Sequence, residues 1–358
     1  MSAIQQLFMG KGAGAAPPPT ALEVMLLLNN TSTGPQRYTY DKTTQTFGTR
    51  SLLAGGTGSM YEGAFSPDKS VLFTAGNSTP YINAWPWDLA TGTAGTKWGN
   101  PTPLPGSGGG RGVGITPGAV FVADAAGAPP CIYAYQYTNI GFGAKYADPA
   151  TPVANGTVIW DVVASPSAAS VVIGLQSGGG GFSVLVYQWS DVTGWGATIA
   201  GLTDTIGSVS DMKFNAAGDR LFIASSVFPH IRVYEYSDVT GIGAKIADPA
   251  TLGIGSAKSI AIHPTGTTIV VYGDLSPYVN AWTWSDVTGW GTKYAAPSVD
   301  TTGYGFSGCS FNTAGDVLLL SQFATPRGAA YLWSQATGFG TKFANPASAT
   351  ASLDVLAI

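Results

Sequence analysis

Four carboxylates in this chain stand where a cyclic fold would draw them together. Glu62, Asp161, Asp211 and Asp354 each lie three residues before the end of a short apolar run, and Gly112, Ser259 and Gly308 hold the same place in the remaining copies of that run. Carboxylate oxygens set around a shared axis could hold a hydrated hard cation. The plainer role is hydrogen bonding to the loops at a channel mouth. Other chemistry is thinly supplied. The two histidines, His230 in a loop and His263 just after an apolar run, give poor support to a Ser/His/Asp triad or a His-ligated metal. Gly303 to Gly308 fits GxGxxG by letter but leads into a short strand instead of a helix, and no GxxxxGK[ST] occurs, so phosphate cradling is not indicated. A hydrolase built on an Asp/Glu pair stays open, without a motif that marks one. No cofactor is implied.

The elements that must position these residues show up as a repeat. The stretch Tyr234 to Thr251 reads YEYSDVTGIGAKIADPAT; near copies begin at Tyr135, Tyr187, Trp282 and Tyr331, and weaker ones at Tyr38 and Trp85. Along one glycine column, Gly48, Gly95, Gly143, Gly196, Gly243, Gly291 and Gly340, the steps are 47, 48, 53, 47, 48 and 49 residues. Seven copies of that length indicate a repeat architecture. Within a copy, an aromatic-x-aromatic strand runs into a Ser-Asp turn, and a second strand runs from Gly-x-Gly to Asp-Pro, where the missing N–H ends the ladder. Asp238 is expected to close its turn by bonding its own backbone two residues on. Upstream, Phe65-Ser66-Pro67-Asp68 and Phe214-Asn215-Ala216-Ala217-Gly218-Asp219 each separate two further apolar runs. Four short strands per period are the content of one propeller blade, so the chain reads as all-β, a seven-bladed β-propeller with four-stranded blades.

The first copy is incomplete. LEVMLLLN, RYTYD and the stretch Phe47 to Arg50 match the second, third and fourth strands of a blade whose innermost strand is missing, while Ser352 to Ile358 is a surplus inner strand. The C-terminal strand is therefore expected to complete the N-terminal blade and close the ring. Residues 1–20 form a separate leader, and 21–358 the propeller. The leader's apolar patch, Ile4, Leu7, Phe8 and Met9, precedes Pro17-Pro18-Pro19 and reads as a docking peptide on a semi-rigid spacer.

The paired aromatics, such as Trp282 and Trp284, recur in every copy and so are expected to pack between sheets. Tyr81, Phe228, His230 and Tyr278, in the loops between second and third strands, fall outside that pattern and are the candidate ligand contacts. A basic column, Arg50, Lys97, Lys145, Lys245, Lys293 and Lys342, guards the outer strand against edge pairing.

Only 10% of the 358 residues are charged and 49 are glycine, which suits a turn-rich surface. A net charge of −4 argues against nucleic acid and anionic membrane as partners. No run of about 18 apolar residues provides a membrane span, the N-terminus lacks the pattern of a cleaved secretory signal, and Cys131 and Cys309 are expected to be free and buried.

The blade pattern, with FSPD or FNxxGD before an apolar strand, resembles WD40-like and YVTN-like propeller repeats, without the Gly-His pair of true WD40. Lactonase and sialidase propellers are similar in outline. The tandem WSDVTGxGTKYADPAT units behind the short leader resemble virion proteins of tailed bacteriophages. That resemblance implies a non-enzymatic structural protein, assembled in the host cytoplasm and displayed on the particle. Its leader would dock to a capsid or tail partner, and its loops would meet a host-surface glycan or receptor. The alternatives are a propeller enzyme acting on carbohydrate or a lactone, and a protein-interaction scaffold.

Overall fold

A computed structural model describes residues 23–29, 34–106, 108–125, 130–153, 158–176, 183–202, 206–250, 253–297, 308–322, 325–350 and 352–358. The leader patch Ile4, Leu7, Phe8 and Met9 lies outside them. Seven antiparallel sheets are arranged in a ring, and the described residues contain no helix. Blade 1 is the composite one. Its inner strand is Ser352–Ala357, hydrogen-bonded to Val24–Asn29; that strand pairs with Gln36–Asp41, which pairs in turn with Thr46–Phe47. The expected closure is thus present, with Leu26 opposite Leu356 and Ile358 donating its N–H to the carbonyl of Val24.

Blades 2 to 7 are continuous in sequence, and their inner strands are Met60–Phe65, Gly110–Ile115, Ile159–Ala164, Val209–Phe214, Ala257–Ile262 and Cys309–Phe311. The second strand of every blade is mostly apolar and almost wholly buried because both of its faces are covered. In blade 4, Val171 and Ile173 face blade 3 while Val172 faces blade 5, as a period of two requires. There is one hydrophobic cluster at each of the seven junctions between blades, so the core is a ring of interfaces instead of a centre.

The aromatic pairs are the main filling of these junctions. Trp282 is 1% exposed and Trp284 5%, and both pack toward blade 5, edge-on to Trp290 of their own outer strand. The same arrangement recurs at Tyr187 and Trp189 with Trp195, and at Tyr331 and Trp333 with Phe339. Edge-to-face pairs of this kind add to the stabilisation from burial.

The turn chemistry differs from expectation. Ser237, not Asp238, closes the turn, its Oγ accepting from the N–H of Val239. Asp238 instead reaches the preceding blade, where its carboxylate accepts from the hydroxyls of Ser167 and Ser170, each at 2.5 Å. Asp191 likewise accepts from Thr116 and from the N–H of Gly118 in blade 3. These two turn aspartates tie neighbouring blades together. Cys131 and Cys309 are free and buried.

Candidate functional site

A cavity of about 290 Å³ lies where the inner strands converge, at the lower end of the sizes that take small molecules. Its walls include Glu62, Asp211 and Asp354, with Arg111, Lys213 and Lys258 among them. Two features of the inner strands build it. A β-bulge interrupts the pairing just before the carboxylate column, between Met60 and Glu62, Ile159 and Asp161, Val209 and Asp211, and Ala257 and Ser259. Such a bulge bends the strand and re-aims the neighbouring side chains; here the extra residue is Tyr61, Trp160, Ser210 or Lys258.

The second feature is a belt of hydrogen bonds around the axis, from each inner strand to the next. Asp354 accepts from the N–H of Gly63 at 3.2 Å and Glu62 from Val113 at 3.3 Å. Asp161 accepts from Met212 at 2.5 Å, Asp211 from Ile260 at 2.6 Å, and the Ser259 hydroxyl from Cys309 at 3.2 Å. The belt has two gaps, where the column residue is Gly112 or Gly308. At each gap the following aspartate covers its own neighbour's N–H instead, Asp161 that of Val162 and Asp354 that of Val355, both at 2.7 Å. A side chain is excluded at these gaps by the closeness of the next blade. A Cβ on Gly112 would stand 2.7 Å from Asp161 Cα, and one on Gly308 would stand 2.4 Å from Asp354 Oδ1.

The missing side chain at Gly112 allows Glu62 to reach across blade 3 and hydrogen-bond Asp161. Burial raises the Glu62 carboxyl well above the usual carboxylate range, with the Asp161 charge adding to the effect and Lys213 opposing it. Burial likewise pushes Asp161 up to about 7, with Asp211 second, while Lys213 and the bond to Glu62 pull it down. Asp354 is pushed up to about 7, again chiefly by burial. Two adjacent carboxyls that cannot both ionise share a proton near neutral pH. Across from them Lys213 Nζ sits 3.0 Å from Asp211 Oδ1. The surrounding carboxylates outweigh the cost of burial and raise the Lys213 ammonium above its ordinary value, so it is charged throughout the physiological range.

The four carboxylates expected around the axis are therefore brought together, but largely as hydrogen-bond acceptors for backbone N–H groups. Among the described residues no group of three His, Cys, Asp or Glu side chains is placed to hold a metal ion. The positive charge in the cavity comes from Lys213, Arg111 and Lys258, which the sequence reading did not single out. Lys213 follows Asp211 by two residues and so shares its face; Arg111 occupies the bulge column of blade 3.

The loop aromatics do not line the cavity. They also belong to a repeated pattern after all: Tyr81, His230 and Tyr278 follow Pro80, Pro229 and Pro277, with φ of 65°, 68° and 60°, and Cys131 and Arg327 follow Pro130 and Pro326 with φ of 61° and 71°. In each, the residue after proline turns left-handed so that its carbonyl accepts the N–H that closes the hairpin, as His230 does from Ser225 at 2.7 Å and Tyr278 from Gly273 at 2.7 Å. Proline recurring at one loop position was the signal. Phe228 is 69% exposed and meets the His230 ring edge-on at 6.0 Å.

No family model matches the chain, and no curated protein matches it. Its fold is shared with many solved structures. A Bacteroides fragilis protein provisionally named 6-phosphogluconolactonase superposes with a TM-score of 0.73 at 13% identity, covering 96% of this chain and 100% of that one. The periplasmic gluconolactonase of Pseudomonas aeruginosa gives 0.74 at 13% identity, covering 94% and 99%. A Lactobacillus plantarum protein whose description carries no function gives 0.73 at 16%, covering 95% and 100%. Likeness at these identities establishes the seven-bladed propeller fold. Nothing phage-related appears among these relatives, and the virion reading has no support from them. The expectation of a protein without enzymatic activity is corrected by the same finding, since lactonases are among the proteins built on this frame. The lack of a catalytic motif was weak ground for that expectation. A site drawn from inner strands about fifty residues apart leaves no local motif.

Proposed function

We propose that the axial cavity is the active site of a propeller enzyme that opens a carbohydrate lactone, with Glu62 as its acid–base group and Asp161, buried behind it, as the partner that shares its proton. The observation that carries this reading is Glu62 in the cavity wall with its carboxyl hydrogen-bonded to Asp161, which is 1% exposed behind it, a pair that holds a proton near neutral pH. A general acid or base works best when its pKa lies close to the working pH. Glu62, ionised while Asp161 holds the shared proton, takes a proton from water as the water oxygen adds to the lactone carbonyl carbon. The resulting oxyanion is stabilised by the Lys213 ammonium on the facing strand. When the ring C–O bond breaks, Glu62 gives the proton it took to the departing alkoxide. One water is consumed, one hydroxy acid forms, and the pair again holds one proton, with Glu62 ionised for the next turnover. The fold shared with a named gluconolactonase adds support for the substrate class.

The test is ring opening of glucono-δ-lactone and related aldonolactones, followed at pH 6 where the spontaneous reaction is slow. Glu62→Gln keeps an acceptor for the Val113 N–H but cannot carry the proton, and should lower kcat by about 100-fold to 10,000-fold, the usual worth of acid–base catalysis. A wild-type protein that does not accelerate opening of any of these lactones, or a Glu62→Gln variant that turns over at the wild-type rate, overturns the reading.

A further inference from the structure

At the rim of the cavity, Arg111 stands between two aromatic rings from the neighbouring blades. Its guanidinium lies 4.0 Å from the centroid of the Tyr61 ring and 5.2 Å from that of Trp160. All three residues line the same cavity. Tyr61 and Trp160 are the extra residues of the bulges in blades 2 and 4, so the feature that aims the carboxylates inward also positions these rings. Stacking on a ring uses the face of a guanidinium and leaves its in-plane N–H donors free to bond elsewhere. Among the described residues, no acceptor takes them: Arg111 makes no hydrogen bond and no ion pair. The other two cations of the cavity are engaged, Lys213 with Asp211 at 3.0 Å and Lys258 with Asp274 at 3.7 Å.

We propose that Arg111 reads a carboxylate on the ligand of this cavity, the Tyr61 and Trp160 rings holding the guanidinium edge toward it. A planar carboxylate takes two parallel N–H···O bonds from such an edge, and the rings have already removed much of the rotamer freedom that binding would otherwise restrict. The charge of the cavity selects carboxylate over phosphate. Of the three cavity cations, Arg111 is the one that makes no hydrogen bond or ion pair among the described residues, and Glu62, Asp161, Asp211 and Asp354 stand close by. A single ligand charge is matched, whereas a phosphate dianion brings a second negative charge beside four carboxyl groups. This inference rests on the proposed use of the cavity and narrows its ligands to sugar acids and lactones that carry a free carboxylate.

The test is isothermal titration of the full chain at pH 7 with gluconate, with sorbitol as its uncharged analogue of equal length, and with inorganic phosphate. Wild type should bind gluconate about tenfold or more tightly than sorbitol, a difference on the scale of one charged hydrogen-bonded contact. Arg111→Met, which keeps an unbranched side chain between the rings, should erase that preference; Arg111→Lys, which keeps the charge without the planar fork, should restore part of it. Equal binding of gluconate and sorbitol by wild type, an unchanged preference in a folded Arg111→Met variant, or Arg111-dependent binding of phosphate in place of gluconate overturns the proposal. Should wild type open lactones while gluconate preference is independent of Arg111, this proposal falls and the lactonase reading stands. Should gluconate bind through Arg111 in a protein that opens no lactone, the reverse holds.

Discussion

The third strands of the blades and the inner strands repeat the same frame seven times, with opposite outcomes. At the third strand nearly every blade carries the same aromatic pair, buried against the preceding blade, as at Tyr234 and Tyr236 or Trp282 and Trp284. At the inner strand the equivalent position reads Glu62, Gly112, Asp161, Asp211, Ser259, Gly308 and Asp354. Uniform positions serve the junction that every blade must make. The varied ones face a space that the whole ring shares, where seven identical carboxylates would repel one another and identical glycines would leave no chemistry. The difference teaches that in a cyclic repeat the fold is carried by what recurs and the site by what departs from recurrence.

The largest blow to the uniform part should come from deleting residues 352–358. This removes the inner strand of blade 1, leaves Val24–Asn29 with an open edge, and should abolish cooperative thermal unfolding; a truncated chain that melts as wild type would refute the closure as a stabilising feature. Next, Trp282→Ala should cost about 3–5 kcal/mol in denaturant unfolding, the usual range for emptying a buried aromatic site, whereas a loss below about 1 kcal/mol would show the aromatic column to be dispensable.

On the varied side, Gly112→Ala should cost about 1–3 kcal/mol as an overpacked contact, since the new methyl meets the backbone of Asp161. It should also separate Glu62 from Asp161 and lower any lactone turnover by more than the stability change alone would.

A smaller effect is expected from pH. Asp354 is raised to about 7 in the folded protein, against about 3.9 for an aspartate in an unfolded chain. Between those values the folded state holds a proton that the unfolded state has released. The contribution of Asp354 to stability is therefore greatest at the acid end and is lost as pH rises through 7. His230 and His263, both lowered by burial, act in the opposite sense, so the comparison to make is between wild type and Asp354→Asn. The variant's melting temperature should fall less between pH 5 and pH 8 than that of wild type, and parallel curves would remove Asp354 from the account. Least of all, Val287→Ser at a turn tip that is 93% exposed should change stability by no more than about 0.5 kcal/mol.

The repeat, the number of blades, the burial of the aromatic pairs and the composite first blade were all legible in the chain, because each is a local pattern copied along it or a strand counted as missing at one end and surplus at the other. The carboxylate column was legible too. Its role was not, because whether Asp161 faces a metal, a loop or a neighbouring N–H depends on Met212, fifty-one residues away on the next blade. The turn aspartates misled for a related reason: Asp238 has a plausible local partner, and its actual partners, Ser167 and Ser170, sit on another blade. The Pro-x loops were misread by treating each residue after proline as an isolated variable position.

Sequence alone thus determined the blade, its turns, the count of seven and the closure, since period-two alternation, aromatic spacing and glycine turns act within a few residues of one another. Tertiary structure alone decided which residues meet at the axis: that Glu62 reaches Asp161 over the space left by Gly112, that Lys213 faces Asp211, and that Arg111 lies between Tyr61 and Trp160. Most of these partners lie on different strands, roughly fifty to a hundred residues apart. Lys213 and Asp211 share one strand, yet which way that strand faces is also set by the ring. Such distances are fixed only when the ring closes, and its radius and the bulges of its inner strands decide which side chains come within a few ångströms of one another.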